Sequence, residues 1–191
     1  MSRALARASG KLRRLGHLSA AFLVDAADFL PELRASPPDG RWGRLASLTL
    51  TSRRLAPDQS SLVAAAVNDL FADAARAAAR LPALQRLELW NGGRGLACVF
   101  RYRAPAVSDA SAPACASLLW RATWAVELRR TVVEMWRRVA CRVRPCELRV
   151  VVEELDPGPV RSHGDAIPLL GFEHDVVAPL SLEQIRRENR N

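Results

Sequence analysis

Of the 28 basic residues in this chain of 191, only Lys11 is a lysine, so the positive charge is almost wholly arginine. Histidine is scarce too, with three residues. The four cysteines, Cys98, Cys115, Cys141 and Cys146, form no C-x-x-C pair. So few ligands at such spacings argue against a zinc framework, and no metal or other cofactor is expected. Buried free thiols in a reducing compartment are the reading that fits. No apolar run approaches the ~20 residues of a membrane helix, so no membrane partner is expected. A G-x-S-x-G nucleophile elbow is also missing.

What is present suits a globular domain. Hydrophobic residues make up 49% of the chain and charged residues 25%, an ordinary balance for one domain with a real core. The net charge of +8 raises the question of nucleic acid. No DNA- or RNA-binding motif accompanies it, so a solvated arginine-rich surface is preferred. The first 24 residues, rich in Arg, Ala and Ser, contain no acid. A mitochondrial transit peptide has that composition, and a helix continuing into the domain is the alternative. We expect a cytoplasmic or nuclear protein, with the mitochondrion as the other destination. Residues 1–16 are read as a basic segment of flexible character, and 17–191 as a single α/β domain.

Hydrophobic periodicity supplies the elements. Leu15, Leu18, Phe22, Ala26, Phe29 and Leu33 predict an amphipathic helix from about Leu12 to Leu33, ended or kinked by Pro31. Leu48 and Leu50 alternate with Ser47, Thr49 and Thr51, which predicts a half-buried strand. Pro57 and Asp58 open an alanine-rich helix with Leu62, Ala66, Leu70, Ala74 and Ala77 on one face, stopped by Pro82. A strand around Leu118–Val126 places Trp120 and Trp124 on one face as core residues. A helix follows, with Val132, Met135 or Trp136, Val139 and Val143 as its stripe and a Glu134–Arg138 pair. "CELRVVVEEL" predicts a strand with Leu148, Val150 and Val152 inward. "SHGDAIPLLG" reads as a short helix ending at Gly171, "FEHDVVAPL" as extended, and Ser181 with Gln184 as a capping box. The expected fold is α/β. One mixed sheet combines β-α-β units with a central antiparallel hairpin or meander, backed by helices.

"NGGRG", residues 91–95, has period-two runs on both sides: Leu87 and Leu89 before, Leu96, Cys98, Phe100 and Tyr102 after. A phosphate loop feeds a helix and carries Lys-Ser/Thr, whereas here a strand follows. A hairpin with a five-residue loop is therefore predicted. "LASLTL" and "LQRLELWN" each fit L-x-x-L-x-L, but they lie 39 residues apart. Leucine-rich repeats recur every 20–29 or so residues, so the fold is repeat-like at most.

Ser162, His163 and Asp165 sit together, with His174 and Asp175 nearby. Triads are assembled by geometry rather than as sequence neighbours. A helix cap formed by Ser162 or Asp165, with a surface histidine, is preferred, and no catalytic residue is assigned. Glu153 and Glu154 would point to opposite faces of a strand. "FLPELRAS" has the L-P-x-E opening of an F-box, but Pro37, Pro38 and Gly40 follow and no F-box is read in this sequence. If a binding surface exists, Trp90, Asn91 and Arg94 of the loop and His163 with Asp165 are the candidates.

Blocks in order, "HLSAAFLVDAADFL", "LTLTSRRLAP", "LQRLELWNGGRGLACVFRY" and "SHGDAIPLLGFEHDVVAPLSLEQIRREN", cover about His17 to Asn189. They resemble the C-terminal domain, of unknown function, of filamentous-fungal F-box and F-box-like proteins. The resemblance implies a non-enzymatic protein-interaction domain that holds a substrate, with an F-box elsewhere recruiting a ubiquitin-ligase adaptor. Without the F-box that adaptor is not expected as a partner, and the protein partner is unnamed. The alternatives are a small hydrolase-like enzyme using His163, Asp165 and His174, or an arginine-rich nucleic-acid binder.

Overall fold

The structure, a computed structural model, describes residues 15–35, 42–57, 61–105, 114–142, 144–172, 176–177, 183 and 185. Six strands form one sheet in chain order: β1 (His17–Ser19), β2 (Ser47–Thr51), β3 (Arg86–Gly93), β4 (Leu96–Arg103), β5 (Cys115–Ala122) and β6 (Glu147–Glu154). The helices are α1 (Ala26–Ala35), α2 (Ser61–Ala78), α3 (Arg130–Ala140) and the short α4 (His163–Leu169). β1, β2 and β3 run parallel, β3 to β5 form an antiparallel meander, and β6 is parallel to β5. This is the mixed α/β sheet that the periodicity predicts. The L-x-L motifs lie side by side, Leu48 against Leu87 and Leu50 against Leu89. The β3–β4 hairpin then interrupts the stacking of parallel strands.

The main core lies between one sheet face and α1, α2 and α3. Leu48, Leu50, Leu87, Leu89, Phe100 and Trp120 face Phe29, Leu70, Phe71 and Trp136 there, all fully buried. Phe71 stacks on Phe100 at 4.0 Å, and the Trp136 indole N–H donates to the Phe71 carbonyl at 3.2 Å. Asn68 of α2 bridges to the start of α3, accepting from the Arg129 N–H and donating to the Glu127 carbonyl. The opposite face is covered in part by α4 and holds a smaller cluster of Trp90, Val99, Val160, Ala166, Leu170 and Val176.

Several sequence expectations are corrected. The first predicted helix is instead β1 followed by α1. Backbone pairing of His17–Ser19 with β2 wins over the helical spacing, and Phe22 and Leu23 stay exposed. Pro31 lies inside α1 without ending it. It faces solvent while Phe29, Leu30 and Leu33 anchor the helix in the core, so packing offsets the lost hydrogen bond. β2 is buried on both faces rather than half-buried, its second face carrying the Thr49–Glu88 hydrogen bond and the bond from the Phe22 N–H to Thr51. The hairpin loop has two residues, Arg94 and Gly95, since Gly93 pairs with Leu96. Gly95 takes the positive φ, 69°, that the bend needs. β5 ends at Ala122, so Trp124 lies beyond the strand, edge-on to Trp120 at 5.3 Å. Val150 and Val152 are exposed, because β6 is an edge strand whose cover extends only over Leu148. Glu134 pairs with Arg137 one turn on, at 2.6 Å, rather than with Arg138. Of the four thiols only Cys98 is buried. α2 is first described as helix from Ser61, beyond Pro57, and ends four residues short of Pro82.

Residues 1–14, Asp58, the side chain of Leu62, Val143, His174, Asp175, Ser181 and Gln184 lie outside the described residues, as does most of the extended stretch predicted for 172–180. Among the described residues no helix is long and apolar enough to cross a membrane.

Candidate functional site

Open parallel sheets place clefts at the carboxyl ends of their strands, where the chain leaves the sheet and side chains converge. A cleft of about 500 Å³ lies at that edge of β1–β3. Its walls include Phe22, Asp25, Ser52, Arg53, Asn91 and His163. They come from the β1–α1 turn, the end of β2, the end of β3 and the start of α4.

The β1–α1 turn is unusual in its backbone. Phe22 has φ 61°, and among the described residues it is the one non-glycine in the left-handed region. That conformation costs on the order of 1–3 kcal/mol in a bulky residue. The surroundings impose it: the Phe22 N–H donates to Thr51 Oγ1 at 2.9 Å, and the Leu23 N–H to the Ala20 carbonyl. Asp25 bridges to Thr51 and then opens α1, its Oδ1 accepting from the Ala27 N–H. The same carboxylate accepts from the Ser52 hydroxyl at 2.7 Å and from the Arg53 N–H at 2.9 Å. Burial pushes the Asp25 pKa up. The Arg53 N–H, the Ser52 hydroxyl, the Ala27 N–H and the Arg53 charge outweigh it and hold the group below the usual carboxylate value.

The structure brings three of the five sequence candidates together. Trp90 is fully buried beneath the cleft, edge-on to Phe22 at 5.2 Å and to Phe172 at 5.5 Å. Asn91 donates to the Leu55 carbonyl and accepts the Gly92 N–H, which ties β3 to the chain after β2. His163 sets its ring edge-on to Phe22 at 5.1 Å, and burial lowers its pKa. The other two stand apart. Arg94 is exposed at the hairpin tip. Asp165 accepts from the Ser162 hydroxyl at 2.9 Å and the Arg161 N–H at 3.1 Å, while its own N–H donates to Ser162 Oγ. This reciprocal cap is what the S-x-x-D spacing encodes.

Gly92 allows α4 to sit this close. A Cβ there would lie 2.8 Å from the Ala166 Cβ. Behind the cleft, Arg101 donates to Glu88 at 2.6 Å and to the Leu170 and Gly171 carbonyls at the end of α4. Thr49 donates to the other Glu88 oxygen at 3.1 Å. This buried chain fixes α4, and through it His163, to the sheet.

Chemically the cleft offers apolar contact and hydrogen bonding. The Ser52 hydroxyl donates to Asp25 and accepts from the Arg54 N–H, which ties the end of β2 to the β1–α1 turn. Among the described residues no group of three His, Cys, Asp or Glu is placed to hold a metal ion. Sequence reasoning missed Phe22, Asp25, Ser52 and Arg53. Asp25 carried a readable signal, since an aspartate three residues before Asp28 and ahead of an apolar stripe is an N-cap pattern.

The chain belongs to a family of unknown function, DUF6546, whose model matches residues 1–178. Comparison with curated proteins and with solved structures finds no match.

Proposed function

We infer that the protein is a non-enzymatic interaction domain whose cleft at the ends of β1–β3 receives an apolar side chain from a protein partner. The Phe22–Leu23 pair carries this reading. The two residues are 47% and 56% exposed at the cleft, on a backbone strained at Phe22. Single exposed apolar residues are ordinary. An exposed aromatic kept in a costly conformation beside a cleft is not, and such strain concentrates at binding sites. The sequence resemblance to the substrate-holding part of fungal F-box-like proteins points the same way, and a cytoplasmic or nuclear location is proposed with it. The small-enzyme reading draws less support, because Ser162 and Asp165 are occupied in capping α4. The nucleic-acid reading also draws less, since Arg101, Arg121, Arg129 and Arg137 are paired with acids.

The test is selection of a displayed peptide library on the full wild-type chain, followed by binding to Phe22→Gly. Glycine removes the ring and relieves the positive φ, so this variant keeps its fold. Selected peptides should share an apolar anchor and bind Phe22→Gly roughly tenfold more weakly, a loss of about 1.4 kcal/mol. Equal binding to both proteins would overturn the reading. So would turnover of a simple ester that disappears in His163→Ala, which would favour the enzyme.

A further inference from the structure

At the other end of the sheet, α3 ends and β6 begins. Cys141 closes the helix, and Cys146 immediately precedes the strand. Their sulfurs are 2.8 Å apart, and the Cys141 thiol also donates to the Cys146 carbonyl at 2.9 Å. That is within about 1 Å of the S–S bond length, so disulfide formation needs little movement of either side chain. Both residues are half-exposed, and a small reagent can reach them. Between them, the Arg142 guanidinium donates to the carbonyls of Ala78, Leu81 and Pro82 at 3.1, 2.6 and 2.8 Å. The Ala78 and Leu81 carbonyls also accept from the Leu81 and Leu84 N–H groups, so Arg142 adds a second hydrogen bond to each where α2 ends.

We propose that Cys141 and Cys146 are a redox-active dithiol, oxidised by low-molecular-weight disulfides, whose cross-link locks the turn that carries Arg142 onto the end of α2. One cysteine thiolate attacks the small disulfide, forms a mixed disulfide and expels one thiolate. The second cysteine attacks the protein sulfur of that mixed disulfide and expels the other. Two thiol hydrogens and two electrons leave the protein and appear as two small-molecule thiols. Burial, and then the adjacent Cys141 thiol, push Cys146 up to about 11, which makes it the poorer nucleophile for the first step. The other two cysteines are poor alternatives. Cys98 is fully buried, and Cys115 lies on β5 opposite Glu147, so its side chain points to the other face of the sheet.

The full folded chain is incubated with oxidised glutathione, its remaining thiols are alkylated, and it is digested with trypsin. The expected product is VACR (139–142) joined to VRPCELR (143–149), lighter by two hydrogens than the reduced pair. Both cysteines leave the alkylated pool, and reductant restores them. Cys115→Ser should give the same product. Amide exchange at residues 79–84 should slow in the cross-linked protein. Alkylation of both Cys141 and Cys146 after oxidation overturns the proposal, as does a Cys115–Cys146 link. Unchanged exchange at 79–84 overturns the lock on α2.

Discussion

Glu88 and Leu89 are neighbours on β3, both essentially inaccessible to water, yet they are buried on opposite faces in unlike company. Leu89 joins an apolar cluster beneath three helices. Glu88 is held in a chain of polar contacts, from Thr49 through its carboxylate to Arg101 and on to the last carbonyls of α4. The apolar face is non-directional and gains stability from area. The polar face is directional, and each member is costly to bury unless its partners are in place. The first therefore secures the fold, and the second sets the position of α4 over the cleft.

The largest expected effect separates these two modes. Glu88→Ala leaves the Arg101 guanidinium buried beside a void and should cost about 3–5 kcal/mol. Leu89→Ala should cost about 2–5 kcal/mol through lost transfer energy and a cavity. The faces differ in rescue. Glu88→Leu combined with Arg101→Met replaces the ions with apolar volume and should lose less than either single change. Urea unfolding of the wild type, Glu88→Leu, Arg101→Met and the double variant measures this, alongside Glu88→Ala and Leu89→Ala. A double variant as unstable as the sum of its parts would mean that the polar chain supports the fold by more than mutual satisfaction of its charges.

The two faces were also unequally legible in the sequence. Leu48, Leu50, Leu87 and Leu89 alternate with polar residues, so the main sheet and its antiparallel centre could be read from the period. β1 could not. It has three residues, and Leu15, Leu18 and Phe22 happen to fall at helical spacing. On the second face, Glu88 and Arg101 sit at the solvent positions of an ordinary alternating pattern. Only α4 laid over them, fitted closely through Gly92, turns those positions inward. The cleft was half legible for the same reason. Trp90, Asn91 and His163 stood out by residue type. Phe22, Asp25 and Ser52 acquire their roles through a crossover that brings the start of α1 beside the end of β2.

Gly92 offers a smaller perturbation on the polar side. Alanine there should force α4 outward and cost roughly 1–3 kcal/mol, as overpacking does. Ala166→Gly removes the atom that the new methyl meets, at a helix cost of about 1 kcal/mol. The two together should lose less than their sum, because they share one contact. Denaturant midpoints of the three variants test this. Strict additivity would place the limit on Gly92 elsewhere than in the approach of α4.

The smallest expected effect is a pH slope at His163, and it too belongs to the polar side. Burial lowers the folded-state pKa of this ring below its ordinary value. The unfolded chain therefore takes up a proton first as pH falls, and stability declines from neutral pH downward through the unfolded value near 6.5. The contribution is fully present above that value. Asp25, Asp28 and Arg53 line the same cleft. Asp25, held below the usual carboxylate value by its hydrogen bonds, produces no slope in this window. His163→Gln should flatten the decline in unfolding midpoint between about pH 7.5 and 5.5. Phe22→Gly should flatten it as well, because the Phe22 ring is what covers the imidazole edge. If Phe22→Gly keeps the full wild-type slope, the exposed aromatic does not shield His163, and the cleft loses its link between the β1–α1 turn and α4.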